Sequence, residues 1–216
     1  MRKLLTFATL FLAFSLFIPH VSYSQTINND TTEAKYEWVD LGLSVKWASC
    51  NLGASHLSGY GDFYSWGNLS TSNSFTAGKC KTYNVAIDDI AGSLQYDVAR
   101  VNMKGTWRLP TQAECEELIT NCDWTWCSMN GVYGFEVKSK VNSNSIFLPA
   151  SGAYEDYADK NYDKGVLGCY WTSNPADKKY GESHMNEAYV LRFTSNGAYT
   201  SYYNKYYGFT IRPVCD

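Results

Sequence analysis

Two Asn-Gly pairs constrain what this chain can fold into more than any other feature. They are Asn130-Gly131, between residues 124–126 and 132–137, and Asn196-Gly197, between residues 188–193 and 198–203. The flanking segments are rich in aromatic and β-branched residues, and Asn-Gly favours the two-residue turn that joins neighbouring antiparallel strands. Each pair therefore predicts a tight β-hairpin, and the second half of the chain is expected to form an antiparallel meander.

One helix is predicted by a capping box. The Thr111 hydroxyl can accept a hydrogen bond from the amide of Glu114, whose carboxylate can reach back to the amide of Thr111. The residues that follow at the spacing i, i+3, i+4 and i+7 give one apolar face: Cys115, Leu118, Ile119 and Cys122. A second, shorter helix is predicted over residues 96–103.

Short strands are predicted on both sides of the helices. They comprise residues 36–41 and 44–48, joined by a turn at Gly42-Leu43, and residues 145–148, 168–172 and 208–214, with a long polar loop over residues 151–165. This order predicts an α+β fold. The predicted core residues are Trp47, Trp107, Trp171, Phe193 and Phe209, and Arg212 is predicted to be a buried partner in a structural ion pair.

The first 24 residues have the pattern of a cleavable secretory signal peptide. Arg2 and Lys3 precede an apolar run, and small residues stand before a cut near Ser24-Gln25. Residues 25–35 are polar and predict a flexible segment, and residues 36–216 predict one domain. We therefore expect a secreted, periplasmic or cell-surface protein with no membrane span after cleavage. The formal net charge of −3 and the lack of a basic cluster argue against nucleic-acid partners.

The seven cysteines leave the redox state open. An exported chain can form disulfides, and an odd number leaves at least one thiol unpaired within a monomer. No two cysteines have the Cys-x-x-Cys spacing of zinc ribbons. Disulfides are therefore allowed, but no pairing follows from the spacing.

Six segments in a fixed order resemble a known family. They are residues 39–48, 60–67, 107–111, 145–152, 170–173 and 207–214. Together they resemble the Fibrobacter succinogenes major paralogous domain of exported Bacteroidota proteins, which looks related to the superfamily of C-type lectins and formylglycine-generating enzymes. The resemblance covers residues 36–216 and implies a C-type-lectin-like fold: a small twisted antiparallel sheet, about two flanking helices and long loops. That fold hosts both binding proteins and enzymes.

The enzymatic relatives use a reactive cysteine pair close to the final strand. The matching stretch here, residues 197–209, contains no cysteine, and oxidation by a thiolate needs one. His56 and His184 have no partner at a recognisable ligand spacing. We therefore expect no catalytic residues, no metal and no cofactor, with an oxidase of the formylglycine-generating type as the least favoured alternative.

Tyrosines concentrate after residue 150 and suggest a binding surface. A tyrosine offers a rigid apolar ring and a hydroxyl at small entropic cost on binding. The predicted ligand-binding residues are Trp171, Ser173, Asn174, Tyr199, Tyr202, Tyr203, Asn204, Lys205 and Tyr206. We expect a non-catalytic binding or adhesion domain for a glycan or protein. Two alternatives stay open: the rings have a purely structural role, or the chain is a structural subunit of a fimbria-like surface assembly.

Overall fold

The computed structural model describes residues 36–72, 74–155, 160–176 and 182–216. The predicted signal peptide and the segment 25–35 lie outside these residues. In the described part, nine strands and two α-helices follow one another. In chain order they are β1 Trp38–Val39, β2 Lys46–Ala48, α1 Val98–Met103, α2 Gln112–Asn121, β3 Cys122–Met129, β4 Val132–Ser139, β5 Ser145–Pro149, β6 Gly168–Pro175, β7 Glu187–Thr194, β8 Gly197–Asn204 and β9 Val214–Cys215.

The strands form three antiparallel sheets of three strands each. Their orders are β1-β2-β9, β3-β4-β5 and β6-β7-β8. With two helices alongside, the α+β prediction is confirmed. A single small sheet was expected, and the described residues instead divide their strands among three sheets. An Asn-Gly turn signal predicts that two consecutive strands pair, but it does not predict which hairpins share a sheet.

Both helices begin at side-chain caps. In α2 the Thr111 hydroxyl accepts from the Glu114 amide at 3.2 Å, and a Glu114 carboxylate oxygen accepts from the Thr111 amide at 2.7 Å. Asp97 caps α1 by accepting from the amides of Ala99 and Arg100. The predicted capping box is confirmed, and the second helix begins two residues later than expected. Cys122 is buried as predicted, but it belongs to β3 because α2 ends at Asn121.

The two hairpins form, but one turn is shifted. Asn130 and Gly131 both have positive φ angles, 52° and 79°, and join β3 to β4 as predicted. In the second hairpin Thr194 pairs with Gly197, so the loop consists of Ser195 and Asn196. Gly197, at φ 141°, is the first residue of β8. The prediction of an Asn196-Gly197 turn was therefore wrong by one residue.

The sheet β6-β7-β8 separates two apolar clusters. On one face Leu191 and Phe193 pack with Cys115 and Leu118 of α2. Side chains alternate between faces along a strand, and the opposite face carries Val190 in a second cluster that contains Trp66, Trp171 and Phe209. Because both faces are covered, β6 is buried along most of its length. The long loops of residues 52–109 can therefore fold onto a rigid sheet.

Two predictions about buried residues and one about a strand need correction. Trp107 is half-buried rather than buried, whereas Trp47, Trp171, Phe193 and Phe209 are fully buried. The predicted strand over residues 208–214 is reduced to β9, with single bridges at residues 208–210. Arg212 is buried, but its guanidinium donates to Asn51 Oδ1 and to the carbonyls of residues 48, 49 and 147 instead of to a carboxylate.

Candidate functional site

Strand β8 presents two of the predicted tyrosines to solvent. Tyr199 is 49% exposed and Tyr202 is 38% exposed. They are three positions apart, so their rings lie on opposite faces of the strand. Among the described strands β8 pairs with β7 alone, which makes it an edge strand. Every second residue of β8 therefore turns its backbone N–H and C=O groups away from the sheet.

Tyr203 and its neighbour Asn204 are half-buried. The Arg192 guanidinium lies 5.2 Å from the centroid of the Tyr203 ring. On its inner side the same ring meets Phe209 edge-on at a centroid distance of 5.6 Å. The Tyr203 ring thus contacts both the core and a cation.

Asn174 is also half-buried, and its side chain is already engaged. Its Oδ1 accepts from the Gln112 amide at 2.7 Å, and its Nδ2 donates to an Asp89 carboxylate oxygen at 2.9 Å. The first bond ties the start of α2 to the end of β6, and the second ties Asp89 to the same strand. A ligand contact through this amide would compete with two existing hydrogen bonds.

Four predicted binding residues are not at the surface. Trp171, Ser173, Lys205 and Tyr206 are buried. The Trp171 indole donates to the Tyr64 carbonyl at 2.8 Å, and the Tyr206 ring meets Tyr83 edge-on at a centroid distance of 5.5 Å. An external ligand cannot reach these side chains in this structure. Their assignment to a ligand surface is therefore corrected to a role in the core.

Lys205 is the most unusual of the four. Its ammonium lies 4.7 Å from the centroid of the Trp66 ring and donates to the Val85 carbonyl at 3.4 Å. Burial lowers the pKa of Lys205 to about 8, because removal from water disfavours the charged form. Lys205 is therefore a buried amine that loses its proton more readily than a lysine at the surface.

A concave feature, which we call the loop cavity, lies between residues 53–63 and the side chains of residues 154, 161 and 164. Its volume is about 400 Å³. Three half-buried aromatic side chains line it: Tyr60, Phe63 and Tyr154. The rings of Phe63 and Tyr154 meet edge-to-face at a centroid distance of 5.0 Å. These rings give the loop cavity an apolar wall.

Polar side chains share the lining of the loop cavity. Asp62, His56 and Lys164 are exposed, and Asn161 is half-buried. The Lys164 ammonium lies 4.3 Å from the centroid of the Tyr60 ring, which holds the cation at the rim. His56 Nδ1 lies 3.2 Å from the Ser58 hydroxyl. The loop cavity therefore offers hydrogen-bond donors and acceptors beside aromatic rings.

Backbone contacts hold the loop that carries Asp62. Gly61 has a φ of +73°, and a Cβ at this position would lie 2.5 Å from the Leu52 carbonyl oxygen. That carbonyl accepts from the Asp62 amide at 2.9 Å. Gly53, at φ +83°, lies under Asp62, and a Cβ there would come within 2.3 Å of the carboxylate. Glycine is needed at both positions for this close approach.

The loop is also tied to the interior. Asn51 Nδ2 donates to the Tyr60 carbonyl at 2.9 Å, and Arg212 Nε donates to Asn51 Oδ1 at 2.9 Å. The Thr210 hydroxyl donates to the Tyr60 carbonyl at 3.0 Å. The buried Arg212 thus positions the wall of the loop cavity through one intermediate side chain.

The sequence predicts loops in this region but does not predict the loop cavity. Residues 59–62 read Gly-Tyr-Gly-Asp, and glycines on both sides of an aromatic residue do signal a close backbone approach. The lining residues Tyr154, Asn161 and Lys164 are about a hundred positions away, and no sequence signal pairs them with this loop.

All seven cysteines are free thiols in this structure. Cys115 and Cys169 are fully buried, and burial raises the pKa of both. Burial also raises the pKa of Cys122, to about 11. High thiol pKa values disfavour the thiolate that nucleophilic chemistry needs. Among the described residues, no group of three or more His, Cys, Asp or Glu side chains is arranged to hold a metal ion.

Within the described ranges no helix is long and apolar enough to cross a membrane.

Comparison with known proteins gives one similarity. No curated protein and no solved structure gave a significant match to the chain. Residues 135–214, from β4 to the start of β9, are similar to a family described as a domain of unknown function, DUF8237.

Proposed function

We propose that this chain is an exported, non-catalytic binding or adhesion domain with a C-type-lectin-like fold. It recognises a glycan or a protein through the exposed part of its tyrosine-rich surface, which comprises Tyr199, Tyr202, Tyr203 and Asn204. The observation that supports this most is the exposure of Tyr199 and Tyr202 on the edge strand β8. Signal-like residues 1–24 support export.

Physical chemistry favours binding over a purely structural role for these two rings. Tyr199 and Tyr202 keep 49% and 38% of their surface in solvent, and a tyrosine offers a large apolar face that loses little entropy on contact. The two rings are fixed to a regular strand, which limits the ordering cost of recognition. The raised pKa values of the buried thiols support the non-catalytic part of the proposal.

The test is a double substitution, Tyr199→Ser with Tyr202→Ser, probed on a glycan array and on an array of extracellular proteins. Binding by the parent chain is expected to fall at least about tenfold in the variant, as expected for loss of aromatic anchors. Tyr133→Ser is the matched control, because Tyr133 is 53% exposed on a different sheet. Equal binding by parent and double variant, or no binding by the parent on either array, contradicts the proposal.

A structural subunit of a surface assembly is the second candidate, and the chemistry of β8 favours it. The strand reads Gly-Ala-Tyr-Thr-Ser-Tyr-Tyr-Asn and carries no charge and no proline. Natural edge strands are commonly protected by lysine, proline or a bulge, because a bare edge recruits other strands. Crosslinking in native envelopes discriminates, since a strictly monomeric protein contradicts this candidate.

A further inference from the structure

We infer that the loop cavity is a binding site for a short neutral oligosaccharide. The site is separate from the surface of β8 and goes beyond the proposed function, because it names a ligand class for a different part of the molecule. Its volume of about 400 Å³ lies in the range typical of small-ligand sites. A protein partner would need a much larger contact area than this concave site provides.

The mixture of ring faces and polar groups defines the ligand class. Pyranose rings have an apolar C–H face and a rim of hydroxyl groups, so they need an aromatic surface with hydrogen-bond donors and acceptors around it. Phe63 and Tyr154 supply the aromatic surface. The Asp62 carboxylate accepts hydrogen bonds, and the Lys164 ammonium donates them. The lining thus matches both parts of a sugar.

Charge favours a neutral sugar over an anionic one. The ionised side chains in the lining are one carboxylate, Asp62, and one ammonium, Lys164. Their charges are opposite, and the Lys164 ammonium already rests on the Tyr60 ring. Sites for phosphate or carboxylate ligands generally use clustered arginines or backbone amides. The lining has no arginine.

The site is preorganised on the side of residues 53–63. The hydrogen bond from the Asp62 amide to Leu52 and the tie from Asn51 to Tyr60 fix the loop before a ligand arrives. A neutral sugar gains little from each contact with water-exposed groups, so a fixed arrangement is needed for measurable affinity.

Calorimetry with cellobiose, lactose, maltose, xylobiose, mannobiose and chitobiose tests the inference. At least one is expected to bind the purified chain with a Kd below about 10 mM. Asp62→Asn is expected to weaken that binding at least about tenfold, since it removes a charged acceptor. Phe63→Leu, which keeps an apolar side chain, is expected to weaken it as well. Asp123→Asn is the matched control, because Asp123 is exposed on β3.

Three results would overturn the inference. They are that none of the six disaccharides binds, that binding survives Asp62→Asn and Phe63→Leu unchanged, or that the disaccharide that binds does so less tightly than its uronic-acid analogue. The tyrosine double variant Tyr199→Ser with Tyr202→Ser separates the two proposals. Sugar binding that is lost in this variant and kept in Asp62→Asn places recognition on β8 alone. The opposite pattern supports the loop cavity and leaves β8 without a role in sugar binding.

Discussion

At the scale of single residues, two buried cations are accommodated in different ways. The Arg212 guanidinium is satisfied by one amide oxygen and three backbone carbonyls, at distances of 2.7 to 3.1 Å. Lys205 has an aromatic face and a longer bond to a carbonyl. A planar fork with five donors fits several fixed acceptors, whereas an ammonium can lose its proton when it is buried. Stability should therefore depend on pH at Lys205.

The prediction at Lys205 concerns alkaline pH. Its folded pKa of about 8 lies below the unfolded value of about 10.4, so the unfolded state binds more protons between these values. Stability should therefore rise with pH across this window. Relative to Lys205→Met, the free energy of unfolding of the parent chain should increase by about 2 kcal/mol between about pH 7 and about pH 9.5.

Urea denaturation at the two pH values measures this difference. Lys138→Met is the matched control, because Lys138 is exposed on β4. A difference between the parent chain and Lys205→Met that stays constant with pH would show that the ammonium is not desolvated in solution.

At the scale of elements, the start of α2 combines a cap with an ion pair. Glu114 takes part in the capping box and receives two hydrogen bonds from the Arg108 guanidinium, at 2.6 and 2.9 Å. Burial alone would raise the pKa of Glu114, but the hydrogen bonds from Arg108 and Thr111 and the Arg108 charge outweigh it and lower the pKa. The ionised carboxylate therefore stabilises the fold.

The prediction is that Glu114→Gln lowers the free energy of unfolding by about 1–3 kcal/mol at neutral pH, since a charge-assisted pair is lost. The folded pKa lies below the unfolded one, so this contribution is full above the unfolded pKa of about 4.3 and is lost as pH falls through the folded value. Denaturation at about pH 7 and about pH 3 should show the difference between parent and variant shrinking in acid. The exposed Glu116, changed to Gln, is the control; an equal effect there would contradict the assignment.

Sequence patterns predicted this element well because capping is local. Thr111 and Glu114 are three residues apart, and Asn130-Gly131 carries its own turn geometry. The turn of the second hairpin is shifted by one residue because Gly197, whose φ of 141° only glycine adopts readily, begins β8 and pairs with Thr194. Lys205 and Tyr206 were placed at the surface because alternation does not reveal that the chain turns inward after β8. Their burial depends on Trp66 and Tyr83, more than a hundred residues earlier.

At the scale of the whole molecule, the cysteines lie throughout the interior and form no disulfides in this structure. Five cysteines are buried, and Cys50 and Cys127 are half-buried. A free buried cysteine behaves as a small apolar side chain. Cys80 and Cys169 pack in one of the two apolar clusters beside β6-β7-β8, and Cys115 and Cys122 pack in the other.

The prediction is that the chain purified without reductant keeps seven free thiols. In the native state, iodoacetamide should label Cys50 and Cys127 quickly and the other five slowly, because those five thiols are buried and inaccessible to the reagent. Intact-mass spectrometry before and after unfolding counts the labelled thiols, and Cys50→Ser with Cys127→Ser serves as the control. A mass lowered by pairs of hydrogens would reveal disulfides and contradict the prediction.

The bonds of Arg212 have a consequence for how the chain reaches this structure. They join residue 212 to residues 48 and 51, across sequence separations of 164 and 161. Contacts so distant in sequence close large loops at an entropic cost, and folds that depend on them form slowly. The region similar to DUF8237, residues 135–214, contains Arg212 and one of its four acceptors, the Phe147 carbonyl, but not Ala48, Ser49 and Asn51. Cut out at those boundaries, it would lose three of the four hydrogen-bond acceptors of this buried guanidinium and should not fold by itself.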